Sequence, residues 1–329
     1  MPEERKKLGW GTEKKPDYVL GIAEADFAIE NADIIIAGSA PEKIIQRCIR
    51  AKKLVFRYSE RPSKNGPEIF KFPFRLIKWR FLNPQNVRLL SAGAFSAKDF
   101  AKFGLFKKRA YKWGYFPEAI HYENPKAVFS GKDCAEILWC GRFLRWKHPE
   151  ICIELAERLK NAGLCFRIKL IGLGEEEENL RRAVLEKSLS ENIVFLGAMN
   201  PSEVRREMEK AGIFILTSGK REGWGAVLNE AMNSGCAVIG NSEAGAVTYL
   251  INDGENGFTY KNGADELFGK VKFLLENPSV QKRLGFAAYK TIVDSWNAKT
   301  AAKRFYVLSE KVLSGEEGVF FENGPCGKA

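Results

Sequence analysis

The 329-residue sequence lacks several features that would place it at once. Its apolar runs are short and strand-sized, 213-IFILT-217 being among the longest, so no segment reads as a transmembrane helix. The opening MPEERKKLGWG has no apolar core, so no signal peptide is expected. Seven cysteines (Cys48, Cys134, Cys140, Cys152, Cys165, Cys236, Cys326) are scattered with no CxxC pair, which argues against a disulfide framework or a thiolate metal site. Several fall inside apolar segments, as buried thiols of a reduced, cytoplasmic chain would. There is no internal repeat. The one low-complexity run, 175-EEEE-178, follows Gly174 and reads as the acidic first turn of a helix. Disorder is excluded by composition: 45% hydrophobic and 28% charged residues describe a folded chain, long enough for two domains.

Acidic residues are scarce in one region only. Residues 1–120 hold 24 Lys and Arg against 13 Asp and Glu, an excess of 11 that equals the net charge of the whole chain. The remainder is neutral. Such an asymmetry suits an N-terminal third that faces an anionic surface, glycan or polymer. No nucleic-acid motif accompanies it, so no nucleic-acid partner is expected. Within this third, 70-FKFPFRLIKWRFL-82 projected as a helix puts Phe70, Phe74, Ile77 and Phe81 on one face and Lys71, Arg75 and Lys78 beside them. The apolar face is expected to pack on a sheet, leaving a basic face able to attract anionic lipid.

Strand-like runs alternate with amphipathic helical patterns along the chain, the signature of parallel sheets wound with helices. The first part gives strands at 33–38, 54–60, 87–93 and 109–116 and helices at 41–53, 73–82 and 96–104. Residues 117–134 are polar and carry Pro and Gly, as an interdomain connection does. The alternation then restarts, with strands at 136–141, 165–172, 193–197, 213–218, 236–241 and 257–260. Helices are expected between them at 148–162, 175–189, 201–211 and 226–234, and then at 264–277, 279–296 and 298–314. The boundaries follow: a short, basic N-terminal domain over 1–125, a linker over 126–135, a second domain over 136–296, a C-terminal helix over 297–314 that packs back on the first domain, and a flexible tail over 315–329.

Chemistry concentrates in 220-KREGWGAVLNEAMNSGCAVIG-240. After a strand, the chain passes through Glu222-Gly223-Trp224-Gly225 and enters a helix near Ala226. Glycines allow a tight turn and close approach to a ligand, and the free N–H groups of a helix start form an anion site. Eight residues of helix rise about 12 Å, so Glu222 and Glu230 would bracket that site. A polyol, then a diphosphate, then a second polyol fits such an arrangement, which is a nucleotide sugar. Either glutamate alone reads as a solvated helix face; the pair with its interposed glycines favours a ligand. At 140-CGRFLRWKHPE-150, Arg142 and Lys147 would project from the end of another strand and neutralise the diphosphate. The turn 171-IGLGE-175 supplies Gly172 and Gly174 for close approach, a weak signal by itself.

Residues 136–260 resemble the donor-binding domain of the retaining family 4, or group 1, glycosyltransferases of GT-B architecture, of the bacterial cell-envelope polysaccharide type. The matching motifs are Gly141-Arg142 with Lys147, IGLGE at 171–175, Glu222 with Glu230, the run SGCAVIG at 234–240 and DGENGF at 253–258. The resemblance implies two Rossmann-like doubly wound parallel-sheet domains facing a cleft. By it, Glu222 contacts the transferred hexose and Glu230 the nucleotide ribose. Arg142 and Lys147 hold the diphosphate, backbone groups of Gly223, Trp224, Gly225, Ala226 and Val227 bind phosphate or sugar, and the base sits near Ala198 and Met199. No cofactor and no metal are expected; there is no Asp-x-Asp motif, and the protein's cations replace a divalent ion. The first convincing strand starts near residue 33, so the opening βα unit of the N-terminal domain is short or absent. Neither His121 nor His148 matches the family's acceptor-side histidine, and His148 reads as a helix-start residue. The segments 57–62 and 111–118, rich in cations and aromatics, are candidates for the acceptor cleft. The partners implied are a nucleotide-sugar donor, a lipid-linked or polysaccharide acceptor and an anionic membrane surface on the cytoplasmic side. The nucleotide base stays open, and the alternative is a catalytically inactive nucleotide-sugar or membrane-binding module of the same fold.

Overall fold

The structure, a computed structural model, describes residues 25–62, 84–261, 263–316 and 318–329. The amphipathic segment 70–82 lies outside the described residues. In chain order the elements begin α1 (Ala25–Asn31), β1 (Ile34–Ala37), α2 (Glu42–Arg50), β2 (Leu54–Ser59), β3 (Val87–Ala92), α3 (Ser96–Ala101) and β4 (Ala110–Trp113). They continue with α4 (Pro125–Ser130), β5 (Asp133–Cys140), α5 (Glu150–Asn161), β6 (Arg167–Ile171), α6 (Glu177–Glu186), β7 (Ile193–Gly197), α7 (Pro201–Lys210) and β8 (Ala211–Leu216). Last come α8 (Ala226–Asn233), β9 (Ala237–Asn241), α9 (Val247–Leu250), β10 (Phe258–Tyr260), α10 (Gly263–Glu276), α11 (Pro278–Lys290) and α12 (Ala298–Leu313).

The described residues divide into two units, one of 116–298 and the other of those up to 115 with those from 299 onward. Each holds its own sheet. The smaller sheet has the order β1-β2-β3-β4 and the larger the order β10-β9-β8-β5-β6-β7, all pairs parallel. The central strand β8 is buried throughout, as parallel strands covered on both faces are. Its side chains alternate: Ile213 and Ile215 pack with Leu155 of α5, Leu180 of α6 and Val271 of α10. Phe214 and Leu216 point the other way, to Met208 of α7, Leu228 of α8 and Ala288 of α11. Two helical layers thus sandwich one sheet.

In the smaller unit the same period splits β2. Val55 packs with Ile45 and Ile49 of α2 and Phe100 of α3. Leu54 and Phe56 face Leu308 and Phe305 of α12, a helix from the far end of the chain. The residues after α12, expected to be a flexible tail, return to the sheet edge. Cys326 is fully buried, Lys112 N–H donates to the Gly327 carbonyl at 2.7 Å, and Cys326 N–H donates to the Lys112 carbonyl at 2.8 Å. The open edge of β4 supplies unpaired backbone groups that the tail satisfies, which its polar composition does not reveal.

Other differences are local. Residues 117–134 are not all linker: α4 starts on Pro125 with the Asn124 side chain accepting from Ala127 N–H, and β5 starts at Asp133. The helix expected over 279–296 changes at Lys290 into a π turn, Thr291–Ser295, and α1 was not foreseen. All seven cysteines are free, with Cys48, Cys152, Cys236 and Cys326 buried; burial pushes the Cys326 thiol up to about 12. Among the described residues no helix is long and apolar enough to cross a membrane.

Candidate functional site

Strand order in the larger sheet reverses between β5 and β8: from β5 the chain winds outward through β6 and β7, from β8 through β9 and β10. The carboxyl ends of strands at such a switch point leave a crevice between diverging loops. The loop after β5 carries Arg142 and Lys147, and the loop after β8 carries Glu222. Lys147 Nζ and Glu222 Oε2 lie 2.6 Å apart, both largely shielded from solvent. The structure therefore brings together two of the residues singled out in the sequence. Arg142 stands at the end of β5 with its side chain exposed.

The spacing of Glu222 and Glu230 is not helical throughout. Residues 222–225 turn, Gly225 sits at φ 99° as the residue before α8, and Glu230 is the fifth residue of the helix. Only about half of the expected 12 Å rise is therefore helical. A side chain at Gly225 would meet Glu222 Cγ at 3.3 Å, so glycine there gives the carboxylate its place as well as its backbone angle. No side-chain hydrogen bond caps the start of α8, which leaves its first N–H groups and the positive end of its dipole facing the crevice loops. Ala226 and Val227 are half-buried; Glu230 is half-buried, and its carbonyl accepts from Ser234 Oγ at 2.8 Å. Gly223 and Gly225 are buried.

Several of the residues singled out in the sequence also have structural contacts. The Trp224 indole is fully buried, donating from Nε1 to Asn229 Oδ1 at 2.8 Å and tilted against Trp296 with ring centroids 5.8 Å apart. It is a core residue that fixes the loop, and its carbonyl accepts from Ala246 N–H at 3.0 Å. Gly172 and Gly174 answer to the neighbouring loop: an added Cβ would fall 1.8 Å from the Gly141 carbonyl oxygen and 2.4 Å from that of Phe143. The two loops are laced by Gly141 N–H to Ile171 O and Phe143 N–H to Leu173 O, each 2.9 Å. Met199 packs against the apolar layer of α7 and α8, while Ala198 is exposed after β7.

The sequence reading missed the braces. Thr217 Oγ1, just beyond β8, donates to the Lys147 carbonyl at 2.6 Å and accepts from Trp139 Nε1 at 2.8 Å, tying the β5 and β8 loops together. The Trp146 ring has Lys147 Nζ at 4.8 Å and the Arg221 guanidinium at 5.9 Å from its centroid. Lys220 pairs with Glu243 at 3.2 Å. An aromatic between cations in 145-RWK-147 was the available signal for Trp146; nothing local marked Thr217. His148 is the left-handed residue, φ 54°, joining a 3₁₀ turn over Arg145–Lys147 to α5. Its Nδ1 lies 2.9 Å from Glu150 Oε1, a contact that raises its pKa.

In the smaller unit the two aromatic segments meet at the carboxyl ends of β2 and β4. Tyr58 OH donates to the Gly114 carbonyl at 3.1 Å, Tyr115 OH donates to Glu60 Oε1 at 2.6 Å, and the two rings meet edge-on at 6.0 Å. Arg61 pairs with Asp99 at 2.9 Å.

The sequence model of the family "Glycosyl transferases group 1" matches residues 123–291. The amylovoran biosynthesis glycosyltransferase AmsK of Erwinia amylovora is 31% identical over 132 residues, 39% of this chain and 32% of that protein. The putative colanic acid biosynthesis glycosyltransferase WcaL of Escherichia coli K12 is 30% identical over 128 residues, 37% of this chain and 31% of its own length. The chain thus spans about a third of the length of each of these two relatives. The crystal structure of Anabaena HepE in complex with UDP superposes with a TM-score of 0.69 at 16% identity, covering 88% of this chain and 81% of that one. That likeness concerns the fold, two Rossmann-like domains of the GT-B type. With more than half of its length matched by the family, and the motif residues gathered at the switch point of the larger sheet, the chain belongs to the group 1 glycosyltransferases.

Proposed function

We propose that the chain is a retaining glycosyltransferase that passes a hexose from a nucleotide-diphosphate sugar to an acceptor hydroxyl in cell-envelope polysaccharide or glycolipid synthesis. The observation that carries this reading is the Lys147–Glu222 pair, 2.6 Å apart at the switch point beside the uncapped start of α8. In it, Glu222 accepts hydrogen bonds from hydroxyls of the hexose, and Glu230 from the ribose. Arg142 and Lys147 meet the diphosphate; the Lys147 ammonium has three donors, enough to serve Glu222 and a phosphate oxygen together. Backbone N–H groups of Ala226 and Val227, with the turn through Gly223, Trp224 and Gly225, complete the anion cradle. The base lies beside Ala198 and Met199.

The reaction breaks the bond between the anomeric carbon and the diphosphate oxygen and forms one from that carbon to the acceptor oxygen. The acceptor proton departs with the leaving diphosphate, on the same face of the sugar. Negative charge grows on the leaving phosphate, where preorganised cations and a helix start lower the barrier most, and no divalent metal is required. The UDP held by HepE favours a uracil nucleotide, and the names of AmsK and WcaL favour an extracellular polysaccharide as product. The Tyr58–Tyr115 corner offers aromatic faces to an acceptor sugar. The basic N-terminal third draws the protein to the anionic inner face of the cytoplasmic membrane.

A thermal-shift panel of UDP, GDP and ADP, then of their hexose conjugates, tests the reading. One nucleotide is expected to stabilise the chain, Arg142→Ala to weaken its binding at least tenfold, and Glu222→Gln to retain nucleotide binding while transfer falls by about 10²–10³. Turnover near wild type in both variants would overturn the site. Stabilisation by a nucleotide with no transfer from any sugar would instead identify an inactive binding module.

A further inference from the structure

The smaller unit contains a groove of its own, lined only by residues of that unit. It lies where α3 passes the amino end of β4 and the returning tail, with a volume of about 470 Å³. Its floor is apolar: Ala97 and Ala101 of α3, Phe106 and Val319. Phe106 is anchored in the core, edge-on to Phe100 at 5.4 Å, while Val319 is 53% exposed. Around the rim stand Lys98, Lys107, Lys108 and Lys328, all with exposed side chains. Among the described residues none of these four has an acidic partner, and no Asp or Glu lines the groove. Nearby Asp99 is already held by Arg61 and Lys102.

The loop that presents two of these lysines is strained. Phe106 and Lys108 both adopt left-handed backbone, φ 55° and 61°, on either side of Lys107. Non-glycine residues persist there where the surroundings over-determine them, often beside ligands. Here the turn drives Phe106 into the core and leaves Lys107 and Lys108 at the mouth. The opposite wall is the tail: Lys328 bridges to Tyr111, and Ala329 N–H donates to the Ala110 carbonyl at 3.2 Å.

An apolar trough whose charged rim residues, among those described, are all cations matches a molecule with a hydrocarbon chain and an anionic head. We propose that this groove binds a single-chain anionic lipid, its chain along Ala97, Ala101 and Phe106 and its phosphate or carboxylate among the four lysines. Long lysine stems extend the apolar wall while their ammonium groups reach the head. Charge complementarity selects an anionic over a neutral amphiphile. The proposal does not rest on the donor-site reading, because none of its residues belongs to the larger sheet.

Calorimetric titration of the full chain with dodecyl phosphate below its micellar concentration tests it, with dodecyl maltoside and inorganic phosphate as separate titrants. Dodecyl phosphate is expected to bind at least tenfold more tightly than either. The double variant Lys107→Glu/Lys108→Glu and, separately, Ala101→Trp on the floor are each expected to weaken it at least tenfold. Lys98→Glu serves in place of either variant if one fails to match the wild-type unfolding midpoint. Equal binding of inorganic phosphate would reduce the groove to an ion patch, and equal binding of the maltoside to an unselective apolar surface. Unchanged titration of the folded variants would remove the site altogether.

Discussion

Lys147 and Glu222 are 75 positions apart in the chain, and their contact at 2.6 Å depends on two loops being held in register. Two residue-level devices do this. Thr217 hydrogen-bonds the Lys147 backbone, and Gly172 lets the β6 loop run against the β5 loop closer than any side chain would permit. Gly172→Ala is therefore expected to cost about 3 kcal/mol or more, since it combines a left-handed backbone at φ 141° with a backbone clash at 1.8 Å. Gly163→Ala, at φ 69° with open space around it, should cost only about 1–2 kcal/mol. Urea unfolding of the two variants checks the difference; equal losses would mean the loops can part. That Glu222, Arg142 and Lys147 stand in the loops after β8 and β5 was legible in the sequence because motif spacing survives translation into strand ends. The protein contacts of Trp224 and Gly172 were not, because a glycine or tryptophan beside a ligand motif looks the same whether or not it also packs against protein.

At the scale of elements, short unbroken apolar runs located the strands well, since a parallel strand covered on both faces needs apolar side chains on each. Where the chain makes an element out of polar residues, as in α4 with its Asn124 cap, or in the returning tail, the signal was composition alone and misled. Helix α12 belongs to this scale. Leu308 is fully buried against Leu54, Phe56 and Leu90, more than 200 residues earlier in the chain. Leu308→Ala should destabilise the smaller unit by about 2–5 kcal/mol, the usual cost of such a cavity. The measurement is the urea midpoint of the full chain, and an unchanged midpoint would show that α12 does not hold that sheet.

For the whole molecule, the excess of 11 positive charges confined to the first 120 residues is the dominant asymmetry. If it serves membrane attachment, the full chain should cosediment with phosphatidylglycerol vesicles at low salt and release as salt rises. Lys71→Glu/Arg75→Glu/Lys78→Glu should weaken that binding at least tenfold, each cation near the surface contributing about 1 kcal/mol. Cosedimentation equal to wild type would detach the charge from any membrane role. The sequence by itself determined the α/β class, the two sheets and the motif residues, because strand and helix periods and helix-start chemistry are local properties written in consecutive residues. Only the tertiary structure decided which strands lie side by side, that β5 and β8 flank the switch point, and that the tail walls a lysine-rimmed groove. Those outcomes depend on contacts between distant segments, where burial and backbone pairing are satisfied jointly and no local pattern records the partner.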